Sequence, residues 1–312
     1  MQLTGIHHLT AVTAHAARNH DFYTRTLGLR MVKKTVNQDD VSAYHLFYAD
    51  GEGSPGTDIT FFDFPTLPEK RGTNSIVRTS FRISGQASFD YWAQRLDAHN
   101  IERGPAEELD GRMTILFEDF EGQRLALVDD GGQGSFAVWE KSDVPAEHQI
   151  RGLGPITMSV PDLAPTKAAV EQILQMREVR SYEGPTGAAT HVFEMGEGGA
   201  SAELHVAVEP NLPRVRPGGG GVHHVAFRVP DEAYQHWADR LSKVRLPSSG
   251  PVDRFYFRSL YFREPNGILF EIATDGPGFH ADEPMETMGE GLALPPFLEP
   301  RRAEIEAGLK PL

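Results

Sequence analysis

The stretch GIHHLT at residues 5–10 decides the fold, because a close copy, GVHHVAF, returns at residues 221–227. Each copy is a short apolar segment typical of a strand, and each carries two adjacent histidines. The second copy is followed by ILFEIA at residues 268–273, which places Glu271 in the middle of a strand. A carboxylate inside a buried strand is costly unless a positive or hydrogen-bonding group meets it. Two imidazoles and one carboxylate on strands therefore indicate a metal site.

Outward from these copies, the chain shows four blocks with the same order of elements. Each block begins with an apolar strand, continues into a segment with helical apolar spacing and ends in further strands. The first strands are GIHHLTAV (5–12), SIVRTSFRI (75–83), GPITMSV (154–160) and GVHHVAFRV (221–229). The sequence predicts an α+β fold of four βαβββ modules. Helices should cover one face of each sheet and leave the other face as a concave cup.

The predicted organisation has two domains of two modules each. Residues 1–130 hold modules one and two, and residues 153–275 hold modules three and four. Between them, residues 131–152 are rich in Gly and Pro and are predicted to form a linker. After the last module, residues 276–312 form a Gly- and Pro-rich C-terminal tail, with a short helix expected over residues 301–309.

The composition restricts the classes of function. The chain of 312 residues has no cysteine, so a metal must be held by imidazole, carboxylate, phenol or carbonyl groups. A net charge of -14 opposes binding to nucleic acid. No apolar run is long enough to span a bilayer, and the first residues do not resemble a secretory signal. We expect a cytoplasmic protein that binds neither nucleic acid nor a membrane.

Aligning the modules by their own pattern selects the metal ligands. His8 and His224 occupy the same slot in the first strands of modules one and four, where module two offers Phe81 or a neighbour. In the last strands the corresponding slot holds Glu271 in module four and Asp63 in module one. The predicted site therefore joins the two ends of the chain.

Strand alternation predicts which side chains face the cup. Successive side chains of a strand point to opposite faces, and the apolar neighbours of Glu271 suit the helix layer. Glu271 should therefore face the cup. By the same rule the cup receives His8, Thr10 and His224, and the opposite face receives His7 and His223.

The donor set narrows the choice of metal. Two neutral imidazoles and one carboxylate leave about three open positions on an octahedral ion, which suits non-haem Fe(II) and its chemistry with dioxygen. The open positions matter because a substrate oxygen and dioxygen must reach the ion together. Mn(II) or another divalent ion can occupy the same donors.

The four modules, the two HH motifs and YFREPNGILFEI at residues 261–272 resemble the vicinal oxygen chelate superfamily. This superfamily includes glyoxalases, bleomycin-resistance proteins and extradiol dioxygenases. Within it, the doubled motif and the use of module one are most similar to the hydroquinone (para-diol) ring-cleaving dioxygenases. Catechol-cleaving relatives take their ligands from modules three and four, whereas GPITMS at residues 154–159 offers no imidazole. The resemblance covers nearly the whole chain.

This resemblance implies an Fe(II)-dependent, extradiol-type dioxygenase that cleaves a small hydroquinone-like aromatic diol with dioxygen. It implies His8, His224 and Glu271 as the iron ligands, and it leaves a homo-oligomer open. The residues that it implies around the metal, with roles in catalysis, are His7, Thr10, His223, Arg254 and Tyr261.

Two of the implied catalytic residues lie in the aromatic segment DRFYFRSLYF at residues 253–262, which reads as strand-like. The phenol of Tyr261 would donate a hydrogen bond to a ring oxygen, and Arg254 would stabilise developing negative charge. Spacing alone leaves Arg258 as a competing candidate for the role of Arg254.

Two other functions stay open. A metal-dependent glyoxalase-like isomerase or lyase would need a fourth ligand, and Asp63 is the candidate for that position. An aspartate close to a strand-ending proline can instead serve the turn. A non-catalytic protein that holds an aromatic ligand in the cup would need no aligned imidazoles. Oxygen consumption separates the first alternative from a dioxygenase, and metal analysis separates the second.

Overall fold

The computed structural model describes residues 1–312 and contains four βαβββ modules, as the sequence predicts. The strands are β1 (Gly5–Thr13), β2 (Arg30–Val36), β3 (Tyr44–Ala49), β4 (Asp58–Asp63), β5 (Ser75–Ile83), β6 (Arg103–Leu109), β7 (Arg112–Glu118), β8 (Arg124–Asp129), β9 (Leu153–Val160), β10 (Arg177–Glu183), β11 (Ala189–Glu194), β12 (Glu203–Val208), β13 (Val222–Val229), β14 (Val252–Asp253), β15 (Arg258–Arg263) and β16 (Leu269–Thr274). The helices are α1 (Ala16–Asp21), α2 (Gln86–Ala98), α3 (Leu163–Ala168), α4 (Tyr234–Lys243) and α5 (Arg302–Gly308). None of these helices has the length and apolarity needed to cross a membrane.

The modules combine into two curled sheets of eight strands. Sheet one has the order β14-β15-β16-β13-β1-β4-β3-β2 and joins module four to module one. Sheet two has the order β10-β11-β12-β9-β5-β8-β7-β6 and joins module three to module two. Each predicted domain, residues 1–130 and 153–275, therefore contributes one module to each sheet. Each sheet is therefore shared between the two halves of the chain.

One apolar core lies under both sheets. It contains strand residues of sheet one, such as Leu9 and Phe270, together with Phe81 of sheet two. The helices add large side chains, including Trp92 of α2 and Trp237 of α4, which are fully buried. Because the helices occupy this face, the opposite face of each sheet is left as a cup.

The strand alternation breaks at both histidine pairs. The register between β1 and β13 skips His7 in β1 and His223 in β13, so each strand has a β-bulge at the first histidine of its pair. The core-facing residues around the first pair, Ile6 and Leu9, are accordingly three positions apart instead of two. Two adjacent histidines therefore lie between consecutive core positions of each strand.

The predicted linker joins two strands of sheet two, and the tail lies against sheet one. Residues 131–152 run from β8 to β9 without a strand or an α-helix. The tail lies along β2, where the Arg30 guanidinium donates to the backbone oxygens of Met285 and Met288. The helix predicted near the C-terminus is α5, and its Ile305 is buried.

Candidate metal centre

Three side chains from three neighbouring strands meet in the cup of sheet one. They are His8 of β1, His224 of β13 and Glu271 of β16. The Glu271 Oε2 atom lies 3.2 Å from His8 Nε2 and 2.9 Å from His224 Nε2. All three side chains are buried, and their ligand atoms lie within 4.8 Å of one another. The two ends of the chain thus build one site.

The contacts in this triad are short without being hydrogen bonds. Both carboxylate oxygens of Glu271 and the Nε2 atom of His224 are buried and have no hydrogen-bond partner. Buried polar atoms are almost always paired, so these lone pairs point to a shared missing partner. Burial by itself would raise the pKa of Glu271, but the adjacent His8 and His224 hold that pKa well below its usual range. An anionic carboxylate beside two imidazoles fits a divalent cation.

Hydrogen bonds behind the triad fix the tautomer of His8. The Nε2 atom of His7 lies 3.0 Å from the Thr274 carbonyl oxygen, which only accepts, so this nitrogen carries the proton. Burial lowers the pKa of His7 to about 3, and the ring is therefore neutral with a free lone pair on Nδ1. The Nδ1 atom of His8 lies 2.9 Å away and donates to that lone pair. His8 Nε2 is left unprotonated and faces Glu271, as a metal ligand requires.

The second histidine pair has the same contact between Nδ1 atoms, but His223 is exposed where His7 is buried. His223 Nδ1 lies 2.7 Å from His224 Nδ1, and the His223 ring packs edge-on against Phe62, a residue of the cup wall. Because of the bulge, strand alternation does not decide which face His7 and His223 occupy: each contacts the ligating ring beside it through Nδ1, and neither lines the cavity over the triad. Apolar residues spaced by three around each HH pair are the signal in the sequence that could have revealed this.

Arg254 and Tyr261 lie on the other side of the cup. The Arg254 Nε atom donates to the Tyr261 phenol oxygen over 3.3 Å, and the Tyr261 ring packs edge-on against His224 at 5.8 Å. Burial, followed by the charge of Glu271, raises the pKa of Tyr261, so the phenol keeps its proton. Outward, Arg254 forms an ion pair with Asp39 at 2.9 Å. This side of the cup therefore offers a cation and a proton donor.

The competing arginine points elsewhere. Arg258 donates to the backbone oxygen and carboxylate of Asp231 and lies over the Tyr234 ring, away from the cup. The segment DRFYFRSLYF is also not one strand. Residues 254–257 form a loop between β14 and β15 in which Phe255 has a positive φ of 71°. The loop is what allows Arg254 to turn into the cup.

A chain of polar groups reaches the site from β3. His45 Nε2 lies 3.0 Å from Thr60 Oγ1, and Thr60 Oγ1 donates to Thr10 Oγ1 over 2.9 Å. His45 is held between the rings of Phe47 and Phe62, and burial lowers its pKa well below the ordinary value. His45 and Phe47 lie two positions apart in β3, so strand alternation places both on the cup face. This spacing is the weak signal in the sequence for His45.

The cavity over the triad is small and largely aromatic. Its walls include Phe47, Phe62, Tyr256 and Phe257, and its volume is about 40 Å³. This volume holds water molecules but is far below the roughly 300 Å³ at which small-molecule sites begin. The loop residue Asp39 closes the mouth through Arg254, and no sequence pattern pointed to it. The cup must open to admit an aromatic ring.

The strand register also shows which residue of module one lies at the position of a possible fourth metal ligand. In sheet one Glu271 lies opposite Ala226, two residues after the ligating histidine of β13. The matching place in module one lies opposite Thr10 and is held by Thr60. The assignment of Asp63 to this slot is therefore wrong by three residues. Module one supplies a hydroxyl where a four-ligand set would need a carboxylate.

The positions of the metal ligands in sheet one have equivalents in sheet two, where other residues occupy them. In sheet one, Ala226 pairs with His8 on one side and with Glu271 on the other. In the matching strands of sheet two, Thr157 pairs in the same way with Arg78 and His205. Module two therefore places Arg78 in the slot of the ligating histidine, three residues before the Phe81 expected there. The bulge in β5 shifts the alignment in the same way as the bulge in β1.

A second group of potential ligands lies in sheet two but is already neutralised. Asp110, Glu203 and His205 bring their ligand atoms within 4.8 Å of one another. Both Glu203 oxygens receive hydrogen bonds of 2.7 Å from Arg112, and Arg180 bonds to Asp110 and Glu203. The arginines supply the positive charge that a metal would otherwise supply.

Comparisons with known proteins agree with this architecture. The model of the Glyoxalase/Bleomycin resistance protein/Dioxygenase superfamily matches residues 5–127 and 152–272. The chain is 47% identical over its full length, and over the full length of the relative, to "Putative ring-cleaving dioxygenase MhqA" of Bacillus subtilis (strain 168). It is 28% identical to chlorohydroquinone/hydroquinone 1,2-dioxygenase of Sphingobium indicum, with 97% of this chain and 95% of that protein covered.

A solved structure shows the same fold over the entire chain. The crystal structure of a "putative dioxygenase" from Bacillus subtilis superposes with a TM-score of 0.91 at 35% identity, covering 100% of this chain and 98% of that one. The family match extends over both sheets and both ends of the metal centre. The chain belongs to the Glyoxalase/Bleomycin resistance protein/Dioxygenase superfamily.

Proposed function

We propose that the protein is an Fe(II)-dependent, extradiol-type dioxygenase that cleaves the ring of hydroquinone-like aromatic diols. The observation that carries the proposal is the buried, unpartnered carboxylate of Glu271 between two imidazole nitrogens. The relatives named as ring-cleaving and hydroquinone dioxygenases support the reaction class and the type of substrate. Mn(II) or another divalent ion remains an alternative occupant of the same donors.

The donor set suits a ferrous ion in the role of a redox cofactor. His8, His224 and Glu271 would hold it through two nitrogens and a carboxylate and leave positions open. When bound, Fe(II) would lower the pKa of a substrate hydroxyl and bring dioxygen next to the ring. His7 and His223 would orient the ligating rings by accepting hydrogen bonds from their Nδ1–H groups, which would leave both Nε2 lone pairs free for an ion.

The remaining cup residues would bind the diol and move protons. Phe257 and Phe62 provide apolar walls for an aromatic ring. The Tyr261 phenol would donate to a ring oxygen, and Arg254 would stabilise negative charge that develops there. Thr10 would hydrogen-bond the substrate at the end of the chain that begins at His45. A dry, closed cup would strengthen each of these electrostatic interactions.

The test is oxygen uptake by protein reconstituted anaerobically with Fe(II), with hydroquinones and catechols as substrates. Hydroquinone should drive oxygen uptake and yield a ring-opened product. Glu271→Gln should lose bound iron and reduce the rate by at least about 100-fold, since even residues behind metal ligands contribute that much. The matched control is His205→Gln, at the equivalent position of sheet two, which should keep both iron and activity.

The same assay separates the alternatives. Glu271→Gln with normal iron content and ring cleavage would contradict the ligand assignment. Metal-dependent isomerisation of a thiol adduct without oxygen uptake would identify the glyoxalase-like activity. A preparation that contains no metal and binds an aromatic ligand without turnover would identify a binding protein. The isomerase alternative needs a carboxylate from module one as a fourth ligand. The strand register places the hydroxyl of Thr60 at that position instead.

A further inference from the structure

A second cleft runs along β6, β7 and β8 of sheet two and contains two arginines. Arg78 of β5 and Arg124 of β8 occupy neighbouring strands, and the residues that follow them, Thr79 and Leu125, pair directly with each other. Leu125 faces the core, so both arginines face the cup. The cleft has a volume of about 780 Å³, with apolar wall residues that include Phe120. This is room for a small organic molecule.

Neither arginine forms an ion pair or a side-chain hydrogen bond. Arg78 and Arg124 form no ion pair with a carboxylate, and the Arg78 Nε atom is buried without a hydrogen-bond acceptor. Burial, followed by the charge of Arg124, lowers the pKa of Arg78. A half-buried guanidinium is normally paired, and two adjacent unpaired ones repel each other. The nearest acidic groups, Glu69, Glu118 and Glu209, act on the two guanidinium groups only from beyond ion-pair distance.

The acidic residues of the cleft do not fill this need. Glu118 pairs with Arg71 at 2.6 Å, and the Asp119 carboxylate accepts backbone N–H groups of its own turn. Glu102 is exposed to solvent. Elsewhere in sheet two, buried carboxylates and arginines are matched with each other, so the unpaired arginines are a local feature of this cleft.

We propose that this cleft binds a small planar carboxylate whose anionic group pairs with Arg78 and Arg124 and whose apolar body lies against Leu116 and Phe120. Guanidinium groups match a carboxylate in paired, parallel hydrogen bonds. Arg18 at the rim stacks on Phe120 at 4.5 Å and keeps that ring in place. The site is separate from the metal centre and does not depend on the reaction performed there.

The experiment is titration of the full-length protein with 4-fluorobenzoate, followed by ¹⁹F NMR. Saturable binding is expected, and Arg78→Met should weaken it at least tenfold while the protein stays folded. Arg103→Met is the matched control because Arg103 lines the same cleft but is paired with Asp97. The affinity of Arg103→Met should equal that of the unchanged protein. His224→Ala should also bind normally, since the ligand does not occupy the metal centre.

Each other outcome overturns the proposal. Loss of binding in His224→Ala with retention in Arg78→Met would place the ligand in sheet one. Equal losses in Arg78→Met and Arg103→Met would show a diffuse charge effect. Inorganic phosphate that displaces fluorobenzoate at equal concentration would identify a simple anion site without use of the apolar wall. Absence of saturation at millimolar fluorobenzoate would remove the site altogether.

Discussion

The cups of the two sheets bury one glutamate each and neutralise it in opposite ways. Glu203 of sheet two and Glu271 of sheet one are both fully buried. Glu203 receives two hydrogen bonds from Arg112 and a third from Arg180, whereas neither oxygen of Glu271 has a hydrogen-bond partner. One fold thus provides a closed ion-pair network and an open donor set.

The difference shows that burial alone does not mark a metal ligand. A buried charge must be compensated, and the compensation comes either from the chain or from outside it. In sheet two the strands β7 and β10, which do not adjoin the strand of Glu203, provide Arg112 and Arg180 within hydrogen-bond distance of its carboxylate. In sheet one the nearest neighbours of the Glu271 carboxylate are the Nε2 atoms of two histidines, His8 and His224. The partners of a buried carboxylate therefore decide what it can bind.

The largest expected effect is on the closed network. Arg112→Met leaves Glu203 with one arginine fewer and should lower the free energy of unfolding by about 3 kcal/mol, as breaking a buried ion pair does. Urea denaturation measures the change. The control, Arg71→Met, breaks the exposed pair with Glu118 and should cost less than about 1 kcal/mol. Equal losses of unfolding free energy in Arg112→Met and Arg71→Met would contradict the difference between the buried network and the exposed ion pair.

The next effect is on the open donor set. A divalent ion at about 100 times its dissociation constant should stabilise the protein by about 2.7 kcal/mol, because it binds only the folded state. Fe(II) under anaerobic conditions, or Mn(II), should show this in thermal unfolding, and chelation should reverse it. Glu271→Gln should abolish the gain. A persistent gain in Glu271→Gln and a loss in His205→Gln would move the metal to sheet two.

The sequence predicts the fold and the candidate site correctly where repeated modules decide the outcome, and less well where the prediction depends on strand alternation. The repeat of GIHHLT and GVHHVAF predicts the modules and brings His8, His224 and Glu271 together, because matching slots in repeated modules do not require exact strand bounds. Alternation does not hold at His7 and His223, where a bulge lets each contact the ligating histidine beside it through Nδ1. The pairing of the sheets depends on long-range contacts that no local pattern encodes.

Loop residues and unpaired charges were the least predictable. Arg254 lies in a turn with Phe255 at positive φ, a conformation that the aromatic pattern of the segment hides. Asp39 meets Arg254 only because two distant loops approach each other. The register assigns Arg78 to the slot of His8, and a shift of three residues concealed it in the alignment. These features follow from tertiary packing.

A smaller effect concerns pH. His7 is neutral when folded, with its pKa lowered by burial to about 3 from the ordinary 6.5, so the unfolded chain binds more protons between these values. Stability should therefore fall as the pH falls from 6.5 towards 3. Between pH 7 and pH 5 the loss from this residue is about 2 kcal/mol. Urea unfolding of metal-free protein and of His7→Asn measures it, and identical pH slopes would contradict it.

The smallest expected effect on stability concerns the mouth of the cup that holds the metal centre. Its main consequence is for the entry of substrate. Asp39 is 72% exposed and pairs with Arg254 at 2.9 Å, and Gln38 donates to the Arg254 backbone oxygen over 2.8 Å. Since the cavity of about 40 Å³ is too small for an aromatic ring, these contacts must break before a diol enters.

Asp39→Ala should change the free energy of unfolding by less than about 1 kcal/mol, because exposed ion pairs contribute little. Substrate association measured by stopped flow should nevertheless become up to about fivefold faster, the equivalent of 1 kcal/mol removed from the closed state. Asp40→Ala is the matched control, since its side chain contacts only Ser42. Equal association rates in all three proteins would show that the cup opens at another place. The closed state of the cup in sheet one would then not depend on the ion pair between Asp39 and Arg254.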